Sequence, residues 1–285
     1  MQYNRQKIKS TVKLLLTLLL LATVVVAIRY FLVESYRIST STMANTLKEG
    51  DLIVVNKFSK LPERNQVILF TSPLRKDTTT SPLFISRCIG LPGDTIRVNG
   101  DGYTINGRFF PLSPNAICQY RLDNSAADLF VKTLNKLKIP IRNLQNERSS
   151  FLISLTPFEE YSIREELPET INQTFIKLTP QEYSLIVPRK DRAYRLTDEC
   201  LIACKEAISR EAESPVSFRD DKLYLDGKET DFFFFEQDYF WVLSDNMNEG
   251  IDSRHLGFIP EESIVGTAWY CWFSPQTKRF FNPVN

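Results

Sequence analysis

The chain has 285 residues, 35 Lys+Arg against 34 Asp+Glu, one His, 43% hydrophobic residues and 24% charged ones. That composition excludes a wholly disordered chain, and a net charge of +1 gives no bulk electrostatic reason to bind nucleic acid. The length suits one large domain or two modest ones.

The charges and apolar residues are unevenly placed. Arg5, Lys7, Lys9, Lys13 and Arg29 precede the first acid, Glu34, so the chain beyond them is mildly acidic. Leu14 to Ile28 carries no charge, and the apolar stretch continues to Val33 with Arg29 as its one charge. Twenty residues at about 1.5 Å each match the roughly 30 Å hydrocarbon core, and Arg29 can snorkel to the headgroups. Two readings compete: a cleaved secretory signal ending near Val25-Val26-Ala27, and an uncleaved anchor. The extension Tyr30 to Val33 favours the anchor. The expectation is a basic tail 1–13, a transmembrane helix 14–33 in contact with lipid, and everything beyond residue 34 on the far side of the membrane.

Strand-like segments follow at Asp51–Phe58, Gln66–Phe70, Thr95–Asn99 and Tyr103–Ile105, rich in β-branched and aromatic residues and bounded by Gly, Pro and Asn. Val98 to Tyr103 has the turn chemistry of a hairpin. From 112 the pattern changes. Leu129, Phe130, Leu134 and Leu137 recur at helical spacing, and Thr197 opens a second helix with Leu201, Cys204 and Ile208 on one stripe. Strands return at Lys222–Leu225, Phe232–Phe235, Tyr239–Leu243 and Ile264–Trp272, the four-Phe run reading as core plus one exposed lip. Five cysteines leave at least one free or pairing between chains. Cys200 and Cys204 read as small buried hydrophobes, because no second Cys or His pair completes a zinc site.

Three ordered boxes sharpen this picture. The first is Thr40-Ser41-Thr42-Met43-Ala44-Asn45-Thr46-Leu47 with Gly50-Asp51, the second Ser86-Arg87-Cys88-Ile89-Gly90-Leu91-Pro92-Gly93-Asp94. The third is Ser244 to Arg254 with Gly257-Phe258-Ile259-Pro260 and Val265-Gly266. Behind a basic-flanked anchor, they resemble the type I signal peptidases, membrane-anchored endopeptidases that cleave signal peptides from exported preproteins. The resemblance implies a mainly β, signal-peptidase-like fold preceded by one transmembrane helix. In it, 34–111 and 221–285 form the core domain and 112–220 an inserted α+β domain. It implies no metal and no cofactor, a single-pass protein of the cytoplasmic membrane with its C-terminal domain outside, and signal peptides or preproteins as partners.

Residue by residue, the family's serine–lysine dyad is replaced. The nucleophile position is Thr42 and the general-base position is Ser86. Thr40 stands at the oxyanion position, while Gly250 stands where the family places a serine that orients the lysine. Asp252 and Arg254 match the supporting ion pair, and Met43 and Ile85 fall at peptide-groove positions. Ser244 stands where the third box begins with glycine, and Asn45 where the first has proline. Threonine keeps a hydroxyl with a stiffer χ1. Serine cannot replace lysine as a base, because its hydroxyl pKa is far too high. Lys57 and Lys76 are not at the family position, and the lone His255 reads as structural. The resemblance therefore implies a catalytically degenerate relative that binds peptide or pairs with an active paralogue; the alternative is an active peptidase using Thr42.

Overall fold

The computed structural model describes residues 13–24, 33–58, 61–74, 82–178 and 182–284. Residues 13–24 form a helix, α1, on which Leu14, Leu15, Leu16, Leu18, Leu19, Leu20 and Leu21 are each more than half exposed. Twelve residues span roughly 18 Å, well short of a hydrocarbon core. Among the described residues, no helix is long and apolar enough to cross a membrane. The helix expected over 14–33 is therefore seen only in its first half. Residues 25–32 and the tail 1–12 lie outside the described residues, and Val33 opens a strand instead of closing a helix.

The first strands are β1 (Val33–Arg37), β2 (Leu52–Asn56), β3 (Val67–Thr71) and β4 (Leu83–Gly90). The ribbon β5 (Thr95–Asn99), β6 (Gly102–Ile105) and β7 (Arg108–Pro111) follows. The expected hairpin is present: Val98 pairs with Tyr103, and the Asn99 side chain accepts from the Asp101 and Gly102 N–H groups across the turn. The middle of the chain holds β8 (Cys118–Asp123), α2 (Ala127–Leu137), β9 (Gln145–Asn146), β10 (Ser150–Leu155), α3 (Pro157–Glu166) and α4 (Glu169–Asn172). Then come β11 (Ile176–Leu178), β12 (Tyr183–Ile186), β13 (Ala193–Arg195) and α5 (Asp198–Glu211). Both helices expected here form, and Thr197 caps α5 by accepting from the Cys200 N–H. The α2 stripe is narrower than its spacing implied: Phe130 and Leu134 are buried, whereas Leu129 faces solvent.

The last part comprises β14 (Val216–Arg219), β15 (Lys222–Leu225), β16 (Lys228–Thr230), β17 (Phe232–Phe234) and β18 (Tyr239–Leu243). It ends with α6 (Ser253–Leu256), β19 (Ile259–Pro260), β20 (Ile264–Ser274) and β21 (Arg279–Pro283). The four-Phe run exposes two lips rather than one: strand alternation buries Phe233 and Phe235 and turns Phe232 and Phe234 outward.

The described chain is thus mainly β, and all its paired strands run antiparallel apart from an isolated bridge between Ile117 and Asn246. Its largest sheet has the order β1-β2-β20-β3-β4-β18-β19, with β21 added to β20. One core cluster under this sheet joins Ile38, Met43, Leu47, Ile53, Val55 and Ile85. A larger cluster runs from Ile96 and Tyr103 on the β5–β6 ribbon through Tyr120, Phe130 and Phe175 to Trp241 and Phe258. Cys88, Cys118, Cys200, Cys204 and Cys271 are all free and buried, Cys200 and Cys204 within that larger cluster.

Candidate active site

The three boxes, separated by up to two hundred residues, meet at one end of the main sheet. The first box leaves β1 as a loop that folds back on itself, with the Thr46 and Leu47 N–H groups donating to the Met43 carbonyl at 2.9 and 2.7 Å. Met43 and Leu47 anchor the turn by dropping into the core, at 0% and 1% exposure. Thr42 is thereby held on the rim of the sheet, 7% exposed, with its carbonyl accepting from the Asn246 N–H at 2.9 Å.

The second box lies on β4. In the strand, Ser86 is completely buried and paired in register with Ile68. Arg87, the next residue, forks onto Asp245 of the third box. Its Nε donates to Oδ1 at 2.9 Å and its Nη2 to Oδ2 at 2.7 Å, while Nη1 donates to the Asn65 carbonyl at 2.7 Å. Burial alone would lower the Arg87 pKa, but the hydrogen bond and charge of Asp245 reverse this and raise it. Thr46 Oγ1 also donates to Asp245 Oδ2, so one carboxylate ties all three boxes together.

The third box follows β18. Asp252 is completely buried and accepts from Arg254 Nε and Nη2 at 2.9 and 2.8 Å, from the Arg254 N–H at 3.1 Å and from the Ser244 N–H at 2.8 Å. Arg254 follows the same pattern as Arg87: burial works against its charge, and Asp252 more than offsets it. Asp252 and Arg254 thus fold the box onto itself.

At the centre lies a row of hydroxyls around one carbonyl. Thr40 Oγ1 and Thr42 Oγ1 are 3.1 Å apart, and Thr42 Oγ1 donates to the Ile85 carbonyl at 3.4 Å. Ser86 Oγ donates to the same carbonyl at 2.8 Å and lies 3.5 Å from Ser244 Oγ. Neither Thr42 nor Ser86 has an amine, imidazole or carboxylate among its hydrogen-bond partners in the described residues. Lys57 is occupied by Glu34 at 2.9 Å, and Lys76 lies outside the described residues. The His255 side chain is half-exposed, with Nδ1 3.8 Å from Asp252 Oδ1. A carbonyl oxygen accepts a hydrogen bond without removing the proton, so the row polarises no nucleophile.

Beside Thr42 opens a cavity of about 470 Å³, lined among others by Tyr36, Ile38, Thr40, Leu83 and Ile85. Ile85 lines this cavity. Met43 does not: it is sealed beneath, its sulfur accepting from the Asp245 N–H at 3.5 Å. Gly250 adjoins the row through Ser244. The Arg87–Asp245 pair and the Ser244 hydroxyl escaped the sequence reading, although all three residues stand inside the boxes. The signal available was an arginine next to Ser86 in the second box and an acid next to Ser244 in the third.

A profile of the family described as "Signal peptidase, peptidase S26" matches residues 8–165 and 234–273, which contain all three boxes and most of the chain. The chain belongs to that family. The signal peptidase I of Buchnera aphidicola subsp. Baizongia pistaciae is 25% identical over 269 residues, covering 87% of this chain and 72% of that protein. The signal peptidase I of Aquifex aeolicus is 25% identical over 271 residues, covering 92% and 84%. That of Leptolyngbya laminosa reaches 38% identity over 96 residues, 32% of this chain and 46% of that protein. The family match leaves 166–233 uncovered, the stretch from the end of α3 to β17.

Proposed function

We propose that the chain is a signal-peptidase-like membrane protein of the export system that binds signal peptides or preproteins, or partners an active paralogue, without efficient proteolysis. One observation carries this reading: the hydroxyl at the nucleophile position, Thr42, faces another hydroxyl and a carbonyl, where a neutral amine would be needed to take its proton. The binding half of the proposal draws on β4. Arg87, Cys88 and Gly90 pair with β18, whereas Leu83 to Ser86 pair only with β3 among the described residues. Leu83 and Ile85 line the cavity, so an extended segment could add along this half-strand and seat its side chains there. In this reading the stretch 14–33 anchors the chain once in the cytoplasmic membrane with residues 34–285 outside. The core of 34–111 and 221–285 carries 112–220 as an insertion. The basic flank and the uncovered leucines of α1 support the anchor.

The alternative, an active endopeptidase, has the retained Thr42 hydroxyl on the cavity wall in its favour. The full chain, in detergent or vesicles, is offered a preprotein with a small-x-small cleavage site. We expect saturable binding, cleavage no faster than background, and cleavage gained by Thr42→Ser with Ser86→Lys. Robust cleavage by the unaltered chain, abolished by Thr42→Ala, overturns the degenerate reading.

A further inference from the structure

Residue 250 is a glycine for want of space. Its φ is not in the left-handed region, so its backbone would accept any residue. A Cβ added there would stand 2.1 Å from Ser244 Cβ, 2.2 Å from Ser244 Oγ and 2.8 Å from the Asn246 carbonyl, all closer than real Cβ contacts allow. Ser244 in turn has its N–H fixed on Asp252 Oδ2 at 2.8 Å. Its Oγ is the side-chain group within hydrogen-bonding reach of Ser86, at 3.5 Å, in a place where both residues are sealed from solvent. We infer that positions 244 and 250 share one side-chain volume, and that Ser244 is the positioning residue for the side chain at 86, supplying from the start of the third box the hydroxyl that Gly250 lacks. The inference that this hydroxyl positions the side chain at 86 rests on reading 86 as the general-base position of the proposed signal-peptidase-like site; the shared volume does not.

Two consequences separate these parts. Gly250→Ala or Gly250→Ser alone drives a side chain into Ser244 and the Asn246 carbonyl. The melting temperature then falls by roughly 5 °C or more. Ser244→Gly combined with Gly250→Ser moves the side chain back into the vacated volume and recovers the part of that loss due to Ser244, leaving the part due to the Asn246 carbonyl. Equal losses from Gly250→Ala with and without Ser244→Gly, or no loss from Gly250→Ala alone, would overturn the shared volume.

The positioning role is read without cleavage. In the full chain carrying Ser86→Lys, the introduced amine is labelled at Cε and titrated by NMR, with and without Ser244→Ala, which keeps the Cβ and removes only the hydroxyl. A hydroxyl that accepts from the ammonium favours the charged form, so Ser244→Ala lowers the titration midpoint by on the order of one pH unit. A midpoint indifferent to Ser244→Ala shows that Ser244 merely fills space, whatever the cleavage assays say. Should Ser86→Lys fail to fold, the loss of Ser86 Oγ's contact is read instead from a Ser86→Ala and Ser244→Ala stability cycle. There, additivity would refute a direct 86–244 interaction.

Discussion

Asp245→Ala attacks the joint that holds the three boxes. Asp245 is 3% exposed and Arg87 5%, and the carboxylate accepts two bonds from the Arg87 fork at 2.9 and 2.7 Å and a third from Thr46. Truncation strips a buried guanidinium of its counter-charge while leaving the Asn65 carbonyl bond in place. The penalty for breaking such a pair from one side is about 3–5 kcal/mol, or on the order of 10 °C in melting temperature for a chain of this size. Removing both partners is a different perturbation. Arg87→Met with Asp245→Leu exchanges the pair for apolar bulk and should recover much of the loss, because buried ion pairs gain little over well-packed apolar substitutes. Urea unfolding of the single and double variants, read by tryptophan fluorescence, supplies the two numbers. If Asp245→Ala costs less than about 1 kcal/mol, as a surface change would, the pair is not the joint described here. A double variant worse than the sum of the singles refutes the reasoning equally.

Two further outcomes follow from the same packing. Gly266 on β20 faces β2 so closely that a Cβ would stand 2.1 Å from the Asn56 carbonyl; Gly266→Ala should cost about 2 kcal/mol or more, seen as an earlier urea midpoint, and an unchanged midpoint would contradict the sheet geometry. Burial pushes the Cys88 thiol up to about 12 and, with Asp51 adding to the effect, Cys271 up to about 11. Unfolded thiols ionise near 9, so the folded chain keeps protons that the unfolded chain releases, and stability is full below about pH 9 and falls as pH rises towards the folded values. Cys88→Ala should flatten that decline between pH 9 and 12, and an identical slope would show that Cys88 is not its source.

Much of the architecture is legible in the sequence. The segments around β2 and β5 announce themselves because alternate residues such as Ile53 and Val55, or Ile96 and Val98, point inward, and β3 because Val67 to Phe70 form a short, wholly buried apolar run. The helix α5 declares both its start at Thr197 and its buried stripe. Strand β4 hid from pattern reading because it is buried on both sides and carries Ser86 and Arg87 inside, which breaks an apolar run with residues whose partners lie on another strand. In the middle region, β8 does alternate, with Cys118, Tyr120 and Leu122 inward, but it stands beside the stronger helical periodicity of α2. At the site, the ordered boxes named Thr42 and Ser86, and the structure brings both onto one carbonyl. That Met43 faces the core, and that Ser244 occupies the room of a residue six positions later, are facts of tertiary packing that no local pattern carries.

The place of β20 in the main sheet bears on how the protein is made. Residues 264–274 lie between β2 and β3, pairing with 52–56 on one side and 68–70 on the other. Until they emerge, the earlier strands of this sheet form two separate pieces, β1–β2 and β3–β4–β18–β19, whose edges at β2 and β3 are open to pairing by another chain. The sheet is therefore a late-closing structure, joined by a strand that follows in sequence both of the pieces it bridges, and long-range pairings of this kind are slow to form. A chain stopped before residue 264 would hold the first box beside one piece and the second box, with most of the third, on the other, and would lack the strand that joins the two pieces. It would be a target for proteolysis and aggregation, with a folding lag set by the time needed to deliver β20.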